Sequence, residues 1–178
     1  ISIVDIATGA TAHAAILEAL IARGVTGRGA QISVSMFDVM ADWLTVPLLN
    51  HEGGKSPRRL GMAHPSIAPY SVFTCSDGKP ILISVQSDRE WRKLADVFLD
   101  RPELGTDPRF ATNVARVRNR SETDSLVAEG FARRTAEEAS LALLKADVAF
   151  ASVSDMERLS EHPHLRRITV ETPNGPVS

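Results

Sequence analysis

From Ala7 to Arg23 the apolar residues Ala12, Ala15, Ile16, Ala19 and Leu20 recur at intervals of three and four. That is the period of an α-helix with one covered face, and an alanine-rich face packs closely against its neighbour. A buried helix is therefore expected here, with Gly24 and Thr26-Gly27-Arg28-Gly29 as its stop and turn. On either side the pattern changes. Ile1-Ser2-Ile3-Val4 reads as an apolar strand, and Gln31-Ile32-Ser33-Val34-Ser35 alternates polar and apolar as a strand does. Met36 to Leu49 returns to helical spacing through Phe37, Met40, Trp43, Leu44 and Leu48, with Pro47 expected to kink or tighten the last turn.

Between Asn50 and Ala68 the chain becomes polar and glycine-containing, as in Gly53-Gly54-Lys55-Ser56-Pro57-Arg58-Arg59, and should run over the surface or over a site. A domain boundary is expected there. Tyr70-Ser71-Val72-Phe73-Thr74 and Pro80-Ile81-Leu82-Ile83-Ser84 then flank Asp77-Gly78, a hairpin signal. Helices should follow over Asp88 to Phe98, with Trp91, Leu94, Ala95 and Phe98 on one face, and over Ser121 to Arg133, opened by a capping sequence at Ser121. Thr135-Ala136-Glu137-Glu138 should cap another helix ending near Ala146. A short helix near Ser154-Asp155 and a closing strand over 167–172 complete the reading.

With 43% hydrophobic and 24% charged residues in 178, the chain can bury a core. A formal charge of −2 gives no global field toward nucleic acid or an anionic membrane, so neither is an expected partner. Cys75 is a lone cysteine, which suits a reducing, cytoplasmic compartment. No apolar run is seen to reach the ~18 residues of a membrane span, and no signal peptide opens the sequence. The chain starts at Ile1 without a methionine and reads as a piece of something longer.

Few residues carry recognisable chemistry on their own. Asp5 precedes Thr8-Gly9 at the mouth of the first helix, where free amides and the helix dipole stabilise anions. Spacing alone leaves it two readings, a plain N-cap and a functional carboxylate. His64-Pro65-Ser66 can bind an anion or supply a nucleophile and base, although near neighbours in sequence rarely face one another. Arg58-Arg59 suits a carboxylate or a solvated face. His162-Pro163-His164 lacks a third ligand, so no metal site is expected. His13, Trp43 and Trp91 read as packed residues, and Thr26-Gly27-Arg28-Gly29 as a turn without the lysine of a P-loop.

Four ordered blocks change the weighting. Val4-Asp5-Ile6-Ala7-Thr8-Gly9, the run from Arg23 to Asp38, the run from Arg59 to Tyr70, and Asp107-Pro108-Arg109-Phe110 onward to Arg120 together resemble the family III CoA-transferases over nearly the whole chain. The version Ala63-His64-Pro65-Ser66-Ile67-Ala68-Pro69-Tyr70 resembles members that act on small dicarboxylates with succinyl-CoA.

The resemblance implies an α/β fold: part of a Rossmann-like large domain, plus a small α+β domain with an antiparallel hairpin and helices. Residues 1–52 would belong to the large domain, 53–69 to a linker and active-site loop, 70–150 to the small domain, and 151–178 to a return. Asp5 would be the catalytic aspartate, passing through a mixed anhydride and an aspartyl-CoA thioester, with coenzyme A as substrate and no tightly bound cofactor. Thr8, Gly9 and Met36 would contact CoA. Gly61, His64 and Ser66 would hold the acyl group, where other members carry a glycine-rich lid. An interlocked homodimer is also implied. Two alternatives stay open: an acyl-CoA racemase of the same superfamily, which would need a carboxylate near Asp88 or Glu90, and a fragment that serves only as an interaction module.

Overall fold

The computed structural model describes residues 1–177, and the chain divides into two compact units, Ile1–Arg59 and Leu60–Ser178.

The first unit is helical. Helix α1 spans Ile3–Thr26 and ends where Gly27 turns left-handed (φ 69°), its N–H reaching back to the Arg23 carbonyl at 2.8 Å. Gly24 does not stop it. Ile3 and Val4 lie inside α1, so the strand expected over residues 1–4 is absent. A four-residue apolar run does not choose between helix and strand, and with no strand beside it the backbone satisfies itself helically. The Gln31–Ser35 stretch likewise belongs to no strand: Ser35 is extended (φ −96°, ψ 132°), but there is no ladder partner in this unit. Alternation supplies the side-chain pattern of a strand, not the neighbour that makes one.

Helix α2 (Met36–Trp43) opens on a Ser35 cap, its hydroxyl accepting from the Asp38 N–H at 3.3 Å, and α3 (Thr45–Glu52) follows after Leu44. The single helix expected over 36–49 is thus two. Pro47 has no N–H for the Trp43 carbonyl four residues back, and the break falls within that turn. Phe37, Met40, Leu44 and Leu48 line an open apolar groove of about 500 Å³ on this pair. Only Ala7 is buried in the unit.

The apolar average of α1 corrects one expectation. Over its best 18-residue window mean hydropathy is 1.3, enough by length and composition to cross a membrane, although no uninterrupted apolar run exists. Glu18 lies well inside this helix, and an acidic side chain near the centre of a bilayer costs roughly 2.5–3.5 kcal/mol. A core helix fits this composition as well as a span does.

The second unit is built on the hairpin. Strands β1 (Tyr70–Thr74) and β2 (Pro80–Ser84) pair antiparallel as expected, Phe73 opposite Ile81, with Gly78 left-handed in the turn (φ 78°). A third strand, β3 (Ala149–Ser152), adds to β2 with Phe150 opposite Ile83. Phe73, Ile81 and Ile83 alternate onto one face and are buried against helical residues.

Helix α4 (Asp88–Lys93) starts in a full capping box between Ser87 and Glu90, and the chain then widens into a π-helical turn over Leu94–Phe98. Trp91, Leu94, Ala95 and Phe98 are all fully buried, and the Trp91 indole N–H donates to the Leu104 carbonyl at 2.9 Å. A 3-10 turn (Pro102–Gly105) leads to α5 (Asn113–Arg118) and α6 (Arg120–Ala132). The cap expected at Ser121 is not one. Ser121 is already in the second position of α6, behind Asn119, and Asn119 gives no side-chain cap. The Thr135–Glu138 capping box does open α7 (Ala136–Lys145), which ends at Ala146. Helix α8 (Met156–Ser160) and a second hairpin, β4 (Val170–Thr172) with β5 (Gly175–Val177), finish the chain.

Candidate functional site

Asp5 is the third residue of α1, in its first turn rather than at its cap. In that turn the amides of Val4 and Asp5 have no carbonyl four residues earlier within the helix, so the positive end of the helix dipole surrounds the carboxylate's own backbone. The Asp5 side chain is exposed, with no hydrogen-bond or ion-pair partner among the described residues. A carboxylate so placed is open to an incoming electrophile. Thr8 and Gly9 lie one turn further on. Their amides are occupied by the helix ladder and the Thr8 hydroxyl donates to the Val4 carbonyl at 2.7 Å, so the free amides belong to Val4 and Asp5. A Cβ on Gly9 would meet nothing within 4 Å, which leaves open space beside the helix. Met36, the first residue of α2, is half-exposed behind the Ser35 cap.

The loop Gly61–Ile67 belongs to the second unit. Gly61 takes a left-handed φ of 61°, which a side chain would strain, in a turn closed by the Ala63 N–H on the Leu60 carbonyl. The His64 ring is half-buried and stacks on Tyr70, with centroids 5.2 Å apart and planes 16° from parallel. His64 and Ser66 do come together. The Ser66 N–H donates to His64 Nδ1 at 3.2 Å, and Ser66 Oγ stands 3.5 Å from the same nitrogen. With Nδ1 accepting from the backbone, the neutral ring carries its proton on Nε2 and offers a donor there. That suits gripping an oxyanion better than taking a proton from Ser66.

Sequence reasoning assigned no role to the residues that hold this loop. Asn113 brackets it: its Nδ2 donates to the Ser66 carbonyl at 2.8 Å and its Oδ1 accepts from the Ala68 N–H at 3.1 Å. Arg116, fully buried, donates to the Ala68 carbonyl at 2.6 Å, to the Phe110 carbonyl at 2.8 Å and to Asp88 at 3.0 Å, its guanidinium 5.2 Å from the Trp91 ring. Burial pulls its guanidinium pKa down while Asp88 pulls against it. Arg120 Nη2 donates to the carbonyls of His64 (2.7 Å) and Ile67 (3.0 Å). All three come from the Asp107 to Arg120 block, which the sequence marked only as a resemblance. The start of that block is braced separately, by Arg109 on Asp107 (2.7 Å) and Glu122 (2.6 Å). The Arg109 guanidinium holds the Asp107 carboxyl below its ordinary pKa.

Both carboxylates near the end of β2 are engaged. Glu90 accepts from the Gln86 N–H at 2.7 Å and the Ser87 N–H at 3.3 Å, while Asp88 accepts from the Asn113 N–H at 2.8 Å and from Arg116. The rings of His162 and His164 lie 5.5 Å apart, and no cluster of three or more metal-ligating side chains occurs among the described residues.

Residues 1–175 match CoA-transferase family III. The chain belongs to that family. The acetyl-CoA:oxalate CoA-transferase of Acetobacter aceti is 34% identical over 91% of this chain, and the succinate–glutarate CoA-transferase of Agrobacterium fabrum 29% identical over 99%. These alignments take in 41% and 45% of the two enzymes, so the chain spans under half the length of the curated relatives it matches. Among solved structures, a CAIB/BAIF family protein from Brucella suis superposes with a TM-score of 0.73 at 36% identity, covering 99% of this chain and 47% of that one. The α/β fold class follows from that likeness. Arg58 and Arg59 close the first unit, exposed and outside these arrangements.

Proposed function

We propose that the whole protein moves coenzyme A from an acyl-CoA, succinyl-CoA among the candidates, to a small carboxylic or dicarboxylic acid, with Asp5 as nucleophile. The observation that carries this reading is the free Asp5 carboxylate in the first turn of α1, in a chain of this family. The carboxylate oxygen attacks the thioester carbon and the CoA thiolate leaves, giving a mixed anhydride. The thiolate then attacks the aspartyl carbonyl, releasing the first acid and leaving an aspartyl-CoA thioester. A second acid displaces CoA from that thioester, and the returning thiolate takes the new acyl group and frees Asp5. Splitting one exchange in this way replaces a difficult displacement by easier ones.

The first-turn amides of α1 favour the negative charge that builds at Asp5 and the oxyanion beside it. Met36, with the helix face at Thr8 and Gly9, is assigned to CoA contact, and Gly61, His64 and Ser66 to the acyl group, His64 through its Nε2 proton. The names of the oxalate and glutarate relatives support a dicarboxylate acceptor. A cytoplasmic homodimer with no tightly bound cofactor completes the reading. The racemase alternative is disfavoured because Asp88 and Glu90 hold the fold together through their carboxylates.

Incubating the full-length protein with succinyl-CoA and a panel of small dicarboxylic acids, with mass spectrometry of the acyl-CoA products, tests this. A new acyl-CoA should form and should disappear in Asp5→Asn. If no CoA moves but a branched acyl-CoA exchanges its α-hydrogen with deuterated water, the racemase takes its place.

A further inference from the structure

Arg120 is placed poorly for stability. Its Nη1 is buried with no hydrogen-bond partner among the described residues, and the same is true of Asp124 Oδ1 one turn further along α6. Burial pushes the Asp124 carboxyl up, against the pull of Arg120, so the pair is not a closed ion pair that offsets its own desolvation. What Arg120 does make is two bonds from one nitrogen to the carbonyls of His64 and Ile67, on either side of Pro65-Ser66. Asn113 bonds the two peptides that flank Ile67, through the Ser66 carbonyl and the Ala68 N–H. A departure from local stability rules that converges on one loop marks a functional constraint.

We propose that Arg120 is a positioning residue: with Asn113, it holds the His64–Ala68 loop in the one backbone conformation that presents His64 and Ser66 to the acyl group. The inference rests on the acyl-group role given to that loop above. Arg116 reaches the same loop but also ties Phe110 and Asp88, so its loss would unfold more than the loop, whereas the Arg120 side chain makes no other hydrogen bond among the described residues.

The experiment compares Arg120→Met, Arg120→Lys and Asn113→Asp with the unaltered full-length protein by two readouts. The first is amide hydrogen exchange at residues 64–68 against the rest of the second unit. Exchange should rise selectively in Arg120→Met and Asn113→Asp, the latter keeping the acceptor for Ala68 but losing the donor to Ser66. The second is steady-state transfer with hydrolysis followed in parallel. Arg120→Met should lower kcat about tenfold or more with KM for acyl-CoA little changed, and should raise the fraction of acyl-CoA lost to water, because a loosened loop admits water to the anhydride. Arg120→Lys, which keeps a cationic donor, should recover much of both.

Unchanged exchange at 64–68 overturns the proposal whatever the activity. Raised exchange with unchanged kcat and hydrolysis overturns it too, as does a lysine variant no better than methionine at unchanged thermal midpoint. If the unaltered protein moves no CoA, the proposed function fails, and the exchange data alone still decide whether Arg120 holds the loop.

Discussion

The two units use similar residues to opposite effect. In the first, α1 carries Ile16, Leu17 and Leu20 at close to half exposure, and Ala7 alone is buried. In the second, the strands, α4, α6 and α7 surround a continuous cluster from Phe73 to Val148, with Trp91, Phe98, Phe110 and Phe131 fully buried. The difference separates two sources of helical order. Within these 178 residues the helices of the first unit show period, a Ser35 cap and a glycine stop, all local signals, whereas those of the second show packing as well. Local signals can set where a helix begins and ends, but most helical stability comes from covering its apolar face.

The sharpest way to break that contrast is to cut it. Residues 60–178 expressed alone should unfold in one cooperative thermal transition by circular dichroism, while residues 1–59 should show none. A cooperative melt of the short piece would mean that local order suffices there. Next in size, Arg116→Met should destabilise the second unit by about 3 kcal/mol or more in urea titration, since it leaves the Ala68 and Phe110 carbonyls unsatisfied. In the 178-residue chain the matched change in the first unit, Ile21→Lys at a 71% exposed position, should stay within about 0.5 kcal/mol.

The smallest effect concerns Asp124. A carboxyl whose folded pKa is raised weakens the folded state above that pKa, and the cost vanishes as pH falls below the ordinary carboxylate range. Asp124→Asn should therefore raise the thermal midpoint at pH 7, by under about 1 kcal/mol in stability terms, with no gain near pH 3. A loss at pH 7 would show that attraction to Arg120 outweighs desolvation.

Legibility in the sequence followed the range of the interaction. The Asp77-Gly78 hairpin and the Thr135 capping box were readable because cause and effect lie within a few residues. Strand β3, Ala149-Phe150-Ala151-Ser152, has little intrinsic preference and exists because β2 offers an edge, and α5 is too short to show a period. The expected strands at 1–4 and 31–35 failed for the converse reason, having pattern but no neighbour. At the candidate site, the place of Asp5 near a helix start was visible in Asp5-Ile6-Ala7-Thr8-Gly9. The bonds from Asn113, Arg116 and Arg120 to the His64 loop were not, because each spans 45 or more residues and ends on backbone atoms that no side-chain pattern reports.

Asn113, Arg116 and Arg120 grip the loop only by its peptide groups, at His64, Ser66, Ile67 and Ala68. The exposed Ser66 side chain is therefore a replaceable part on a fixed mount, whereas the His64 ring also accepts from the Ser66 N–H and stacks on Tyr70. Under the proposed acyl-group role of this loop, a new residue at position 66 would arrive already aimed and would change acid preference without the scaffold being rebuilt.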